Sequence, residues 1–201
     1  MEIVLSILIP AIPERLHLLN PLVEKLTKQI GDKPVELLVV VDNKKRPLGE
    51  KRNLMMDSCK GKFLTHLDDD DDVTDDYLDS ILACLSTDDM IDVLSFNSRA
   101  DLGDNMPFTV ITGLQHENEQ TNITKRPLED GTEIEVREDI HRVPWHWCVW
   151  KSEIARQGRF PTEFMGEDWI WLQQVLPLCT GETHINRVLH FYYHRPNVSL
   201  S

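Results

Sequence analysis

Lys62-Phe-Leu-Thr-His-Leu-Asp-Asp-Asp-Asp-Asp72 runs an apolar strand directly into five consecutive carboxylates. The stretch from Lys62 to Leu67 has the composition of a buried strand, and the acidic half forms the loop at its C-terminal end. Adjacent carboxylates repel and raise one another's pKa unless a cation neutralises them. From Asp68 to Asp92 there are eleven acidic residues and no basic one. The charge must therefore be met from elsewhere in the chain or by a bound ion.

Upstream, Ile3-Val-Leu-Ser-Ile-Leu-Ile9 is nearly all apolar and is ended by Pro10, as a strand covered on both faces of a parallel sheet would be. Leu16, Leu19, Leu22, Val23, Leu26 and Ile30 recur at helical spacing, predicting an amphipathic helix that Pro21 should kink or split. Val35-Glu-Leu-Leu-Val-Val-Val41 predicts a second buried strand with Asp42 at its end, followed by a helix from Gly49 to about Cys59. Downstream, a helix from Asp75 to about Leu85 and a strand from Ile91 to Phe96 complete the alternation. The order predicts an α/β fold with an open, mostly parallel central sheet flanked by helices, in which ligands sit at the C-terminal strand ends.

After Arg99 the alternation weakens. Glu129-Asp-Gly-Thr132 predicts a hairpin turn between Thr121 to Arg126 and Glu133 to Val136, so a smaller mixed or antiparallel portion is expected here. Helices near Ser152 to Gln157 and Glu167 to Leu176, then a strand from Ile185 to Tyr193, finish the chain.

The 201 residues suit a single domain, and 41% hydrophobic content excludes disorder. A formal charge of −13 disfavours a general nucleic-acid binder. Four scattered cysteines, Cys59, Cys84, Cys148 and Cys179, provide no zinc or disulfide spacing. No segment reads as a leader or membrane span, which predicts a cytoplasmic protein with reduced thiols.

Four constellations are candidates for chemistry. The acidic run suits a hard divalent cation, Mn2+ or Mg2+, held by carboxylate oxygen. An EF-hand register on Asp68, Asp70 and Asp72 fails, because Val73 stands where the turn needs glycine. Gly166-Glu-Asp168 places two acids at a helix start, where they act either as caps or as a general base. Lys44, Lys45, Arg46, Lys51, Arg52, Lys60 and Lys62 form a basic stretch, either solvated or suited to a diphosphate. All five tryptophans fall between Trp145 and Trp171. At least two should be core, and Trp145-His-Trp147 together with Trp169 is a candidate acceptor platform. His190 is expected to be satisfied within the fold, while His194, at the end of the last strand, is a candidate third metal ligand.

These residues resemble a small, stand-alone family 2 glycosyltransferase with the GT-A fold. Leu5-Ser-Ile-Leu-Ile-Pro10 and Val35-Glu-Leu-Leu-Val-Val-Val-Asp42 resemble its first two strands. Gly49-Glu-Lys-Arg-Asn53 is similar to its G-x-x-R-N segment, and Phe63 to Asp71 resembles its strand ending in D-x-D-D. Val149 to Glu153, Gly158 to Pro161 and Gly166-Glu-Asp168 look like its acceptor-side block. Asp42-Asn-Lys departs from the common D-D-G-S turn.

The resemblance implies a nucleotide-binding half, 1–98, and an acceptor-side half, 99–201. It implies a nucleoside-diphosphate sugar as donor, most commonly a UDP-sugar, and inverting transfer to a hydroxyl of a glycan, small molecule, protein or hydroxylated DNA base. It places the donor against Pro10, Ala11, Asp42, Lys51, Arg52, Asp68 and Asp69. A divalent metal would sit on Asp68, Asp70 and His194, the acceptor on Trp145, His146, Trp147 and Trp169, and the base role on Asp168 with Glu167. A metal-dependent nucleotidyltransferase and a non-catalytic sugar- or metal-binding module are the alternatives.

Overall fold

A computed structural model describes residues 2–87, 90–162 and 166–195. The first half alternates as its apolar runs dictate: β1 (Leu5–Ala11), α1 (Leu16–Ile30), β2 (Val35–Val41), α2 (Leu48–Ser58), β3 (Phe63–His66), β4 (Asp72–Val73), α3 (Tyr77–Leu85) and β5 (Val93–Asp101). Then come β6 (Phe108–Thr112), the hairpin β7 (Ile123–Pro127) and β8 (Glu133–Arg137), β9 (Ile140–Arg142), β10 (Val149–Lys151), α4 (Ser152–Ala155), α5 (Glu167–Val175) and β11 (Glu182–Tyr193). Helix α1 runs unbroken through Pro21 and buries Leu19, Leu22 and Leu26.

The sheet is a single large mixed one, with both parallel and antiparallel neighbours. Its order is β2-β1-β3-β10-β5-β11-β4, with β6 on β5 and β9 on β6. The pairs β1–β2, β1–β3, β5–β11 and β6–β9 are parallel. The pairs β3–β10, β5–β10, β4–β11 and β5–β6 are antiparallel. This large mixed sheet curls into a half-barrel flanked by helices. Strand β2 is its half-buried edge, not a strand covered on both faces.

One detail of the pairing creates the site. Strand β10 pairs with Val93 and Leu94 at the start of β5, whereas β6 pairs with Ser98 to Ala100 near its end. The sheet therefore divides along β5, and the Trp145-His146-Trp147 segment lies where it divides. That segment is tied to β3: Thr65 Oγ1 donates to the Trp147 carbonyl at 2.9 Å, and His66 N donates to the His146 carbonyl at 3.2 Å. Behind it, Trp150 and Trp171 are fully buried, with Trp147 6% exposed, which accounts for the core tryptophans.

Candidate active site

Helix α2 carries one side of the site, and each residue of Gly49-Glu-Lys-Arg-Asn53 that faces inward has a distinct contact. A Cβ on Gly49 would stand 2.0 Å from the Pro161 carbonyl oxygen, so only glycine permits this approach. Lys51 Nζ reaches Asp42 Oδ1 at 3.0 Å, and Arg52 Nη2 reaches Asp68 Oδ1 at 2.8 Å. Asn53 closes a reciprocal pair with Phe160, donating to its carbonyl at 2.8 Å and accepting from its N–H at 3.1 Å. The segment thus locks the C-terminal ends of β2 and β3 to the chain that leads into α5. Lys44, Lys45 and Lys60 stay exposed and Arg46 pairs with Glu50, so the basic stretch splits into two inward and several solvated cations.

Helix α5 starts after Gly166, whose φ of 86° is a left-handed turn that glycine adopts without strain. Glu167 then lies 3.7 Å from Arg52 Nε. Asp168 Oδ2 accepts from Trp145 Nε1 at 2.8 Å, and Oδ1 accepts from the Trp169 N–H at 2.8 Å. His146 Nδ1 stands 3.5 Å from Asp168 Oδ2 while its Nε2 is 3.8 Å from Asp68, and neither ring nitrogen has a hydrogen-bond partner. Burial alone would raise the Asp168 carboxyl, but His146, Arg52 and the Trp169 N–H outweigh it and hold it well below the usual carboxylate range. Asp168 is therefore ionised at any physiological pH, with a lone pair left on each oxygen.

Asp68, Asp168, Trp145, His146 and Trp147 share a cavity of about 370 Å³ with Arg142 and residues of β5, β6 and β9. Arg142 lies 3.5 Å above the Trp145 ring, and Trp145 also stacks on Trp169 at 6.0 Å. Burial lowers the Arg142 guanidinium to about 10, against the pull of Asp168. Pro10 and Ala11 are buried in β1 and, with Asp42 and Lys51, form a separate group at the β1–β2 end, where Lys51 Nζ is 3.4 Å from the Ala11 carbonyl oxygen.

The cation demanded by the acidic run is supplied largely by the chain. Arg15 Nη2 bridges Asp69 Oδ1, at 2.9 Å, and Asp70 Oδ1. Lys25 pairs with Asp72 at 2.7 Å, and His190 Nε2 lies 3.0 Å from Asp71 Oδ2. The expected metal set does not converge. Asp68 is taken by Arg52 and Asp70 by Arg15, whereas His194 is exposed, with Nδ1 3.5 Å from the Tyr192 hydroxyl. Among the described residues no group of three His, Cys, Asp or Glu side chains could hold a metal ion. As arranged, these residues do not fit a resident divalent ion, because guanidinium groups already occupy the carboxylates that would ligate it.

Sequence reasoning missed Arg15 and Arg142. The signal for Arg15 was its place just after β1, the parallel neighbour of the strand that enters the acidic run; Arg142 had none, since β9 is three residues long. His190 is fully buried, as expected of a residue held within the fold, but only half satisfied: Nδ1 is 2.8 Å from Ser98 Oγ, while Nε2, 3.0 Å from Asp71 Oδ2, has no hydrogen-bond partner.

Burial, reinforced by Asp70 and Asp68 and opposed by Arg15, raises Asp69 to about 7, while burial raises Asp70 to about 6. A raised carboxyl contributes stability that is present below the unfolded pKa, near 4, and is lost as pH rises through the folded value. The Asp69→Asn variant should therefore gain stability relative to the natural chain as pH goes from 5 to 8. Thermal unfolding at fixed ionic strength measures this, and a difference that does not vary with pH contradicts it.

No protein-family profile matches the chain, and no curated protein does. Solved structures do. The crystal structure of S. aureus TarS 1-349 in complex with UDP-GlcNAc superposes with a TM-score of 0.66 at 15% identity, over 98% of this chain and 60% of that one. The same protein in complex with UDP gives 0.63 at 13% identity, over 95% of this chain and 60% of that one. This chain thus spans about three-fifths of the length of those TarS structures. Among the described residues no helix is long and apolar enough to cross a membrane. The chain shares the fold of a protein that binds a nucleotide sugar.

Proposed function

We propose that the chain is a glycosyltransferase that moves a sugar from a nucleoside diphosphate, a UDP-sugar in the first instance, to an acceptor hydroxyl with inversion. The observation that carries this reading is Asp168, which accepts hydrogen bonds from Trp145 Nε1 and the Trp169 N–H and lines one cavity with Asp68. The TarS fold, with its UDP-GlcNAc complex, supplies the class of donor.

In this account the nucleoside lies against the Pro10, Ala11, Asp42 and Lys51 group, and its ribose approaches Asp68 and Asp69. The acceptor enters beside Trp145, His146, Trp147 and Trp169. Its hydroxyl oxygen bonds to the anomeric carbon as the bond from that carbon to the diphosphate oxygen breaks. The hydroxyl proton passes to an Asp168 oxygen, and the electron pair leaves with the nucleoside diphosphate. Glu167 holds Arg52 in place from the other side of its guanidinium. The positive charge facing the diphosphate comes from Arg52, whose Nε and Nη1 are buried without a hydrogen-bond partner. Release of UDP from a panel of UDP-sugars tests the reading, first in water and then with added alcohols. UDP release that depends on Asp168 is expected; no release from any nucleotide sugar would overturn it.

A further inference from the structure

Strand β2 ends the sheet, and among the described residues β1 is its only strand neighbour. The Asp42 N–H donates to the Ala11 carbonyl at 3.4 Å, so the backbone groups of Asp42 face β1. Because these groups alternate in direction along a strand, the N–H and C=O of Leu37, Val39 and Val41 face away from it. Val35 faces the same way, and its N–H is spent on the Lys33 carbonyl at 2.7 Å. Among the described residues nothing bonds to the outward groups of Leu37, Val39 and Val41. Such edges are ordinarily blunted by lysine, proline, a bulge or a covering element. Val35-Glu-Leu-Leu-Val-Val-Val41 has no lysine or proline, and its register with β1 is unbroken from Leu5↔Val35 to Ala11↔Val41. Its one charge, Glu36, is turned to the chain itself and accepts from Ser6 Oγ at 2.6 Å and from the Lys60 N–H. Leu37 to Val40 pack on the core yet stay half-buried, and Val41 is 44% exposed.

A second copy of the chain fits this edge through a two-fold axis, the commonest symmetry of a protein pair. Antiparallel pairing must join outward groups to outward groups, which leaves few registers. Centring it on Val39 sets Glu36 opposite Asp42, a destabilising like-charge pair. Centring it on Leu37 leaves Val41 without a strand partner. Centring it on Leu38 sets Leu37 opposite Val39, Val35 opposite Val41 and Glu36 opposite Val40, so that no charge meets its like. The same arrangement brings the exposed Asp32 of one copy to the end where the exposed Lys44 and Lys45 of the other lie. We infer that β2 is the docking edge for a second copy of this chain, which pairs antiparallel about Leu38 and continues the sheet across a two-fold axis. The inference is independent of the glycosyltransferase reading.

Sedimentation velocity of the intact chain across about 1 to 100 µM tests the association, and hydrogen exchange at the two ends of that range reads the edge residue by residue. A reversible dimer is expected, with the amides of Leu37, Val39 and Val41 exchanging at least about tenfold more slowly at the high concentration. Val39→Pro removes one outward N–H and no bond to β1, a change that an edge strand tolerates, and should weaken the dimer by about tenfold or more. If circular dichroism shows that variant unfolded, Val41→Lys at the exposed end of the strand takes its place and should weaken the dimer by a similar factor. A monomer at every concentration, a dimer whose outward amides stay unprotected, or folded variants that dimerise normally would each overturn the inference. None of these outcomes depends on UDP or on Asp168, so failure here and failure of the proposed activity are separate results.

Discussion

Asp168→Asn is expected to slow UDP-sugar turnover by about 10²- to 10⁴-fold, the contribution of a positioned general base, while donor affinity stays close to that of the natural chain. The amide still offers Trp145 Nε1 a carbonyl acceptor at the position now bonded at 2.8 Å, so the geometry should survive. What is lost is the negative charge and the site that receives the proton. Because His146 and Arg52 hold this carboxyl so far below its ordinary value, the natural chain should also keep its proposed Asp168-dependent turnover at pH 5. Initial rates of UDP release at pH 5 and pH 7.5 check both statements. Unchanged turnover in the variant would remove Asp168 as the base.

Arg52→Met is expected to destabilise the chain by about 3–5 kcal/mol, the effect of removing one member of a buried pair. Arg52 is 1% exposed, and its loss leaves Asp68 and Glu167 without their common cation. Burial would raise Asp68, and Arg52 is the first of the charges that keep it lowered. Adding Asp68→Asn to Arg52→Met should recover much of that loss, because the stranded charge is gone, yet leave donor binding impaired. Urea unfolding of the single and double variants measures it. A single variant as stable as a surface substitution would show that the pair has no structural weight.

The parts of this fold that could be read in advance are those whose signal is local. Apolar runs such as Val35 to Val41 and the three- and four-residue spacing of Leu19, Leu22 and Leu26 reflect strand and helix period directly. Strands β6, β9 and β10 have three to five residues each, and their existence depends on partners remote in sequence. For that reason the antiparallel β10 between β3 and β5 was not legible, although a mixed or antiparallel portion after Arg99 was. The same limit applied to the site. Five adjacent aspartates announce that a cation is required, but their sequence does not say that Arg15, Lys25 and Arg52 converge on them. The inward face of Gly49 to Asn53 was legible as a motif, and its reason, the close approach to Pro161 and Phe160, belongs to residues more than a hundred positions away.

The central claim is that this site binds a nucleoside-diphosphate sugar using the chain's own cations. Calorimetric titration with UDP-GlcNAc, once in excess EDTA and once in manganese, tests it most directly. The account predicts saturable binding in both, with similar affinity, and competition by UDP. Absence of binding in both buffers, or binding that vanishes in EDTA, would contradict it.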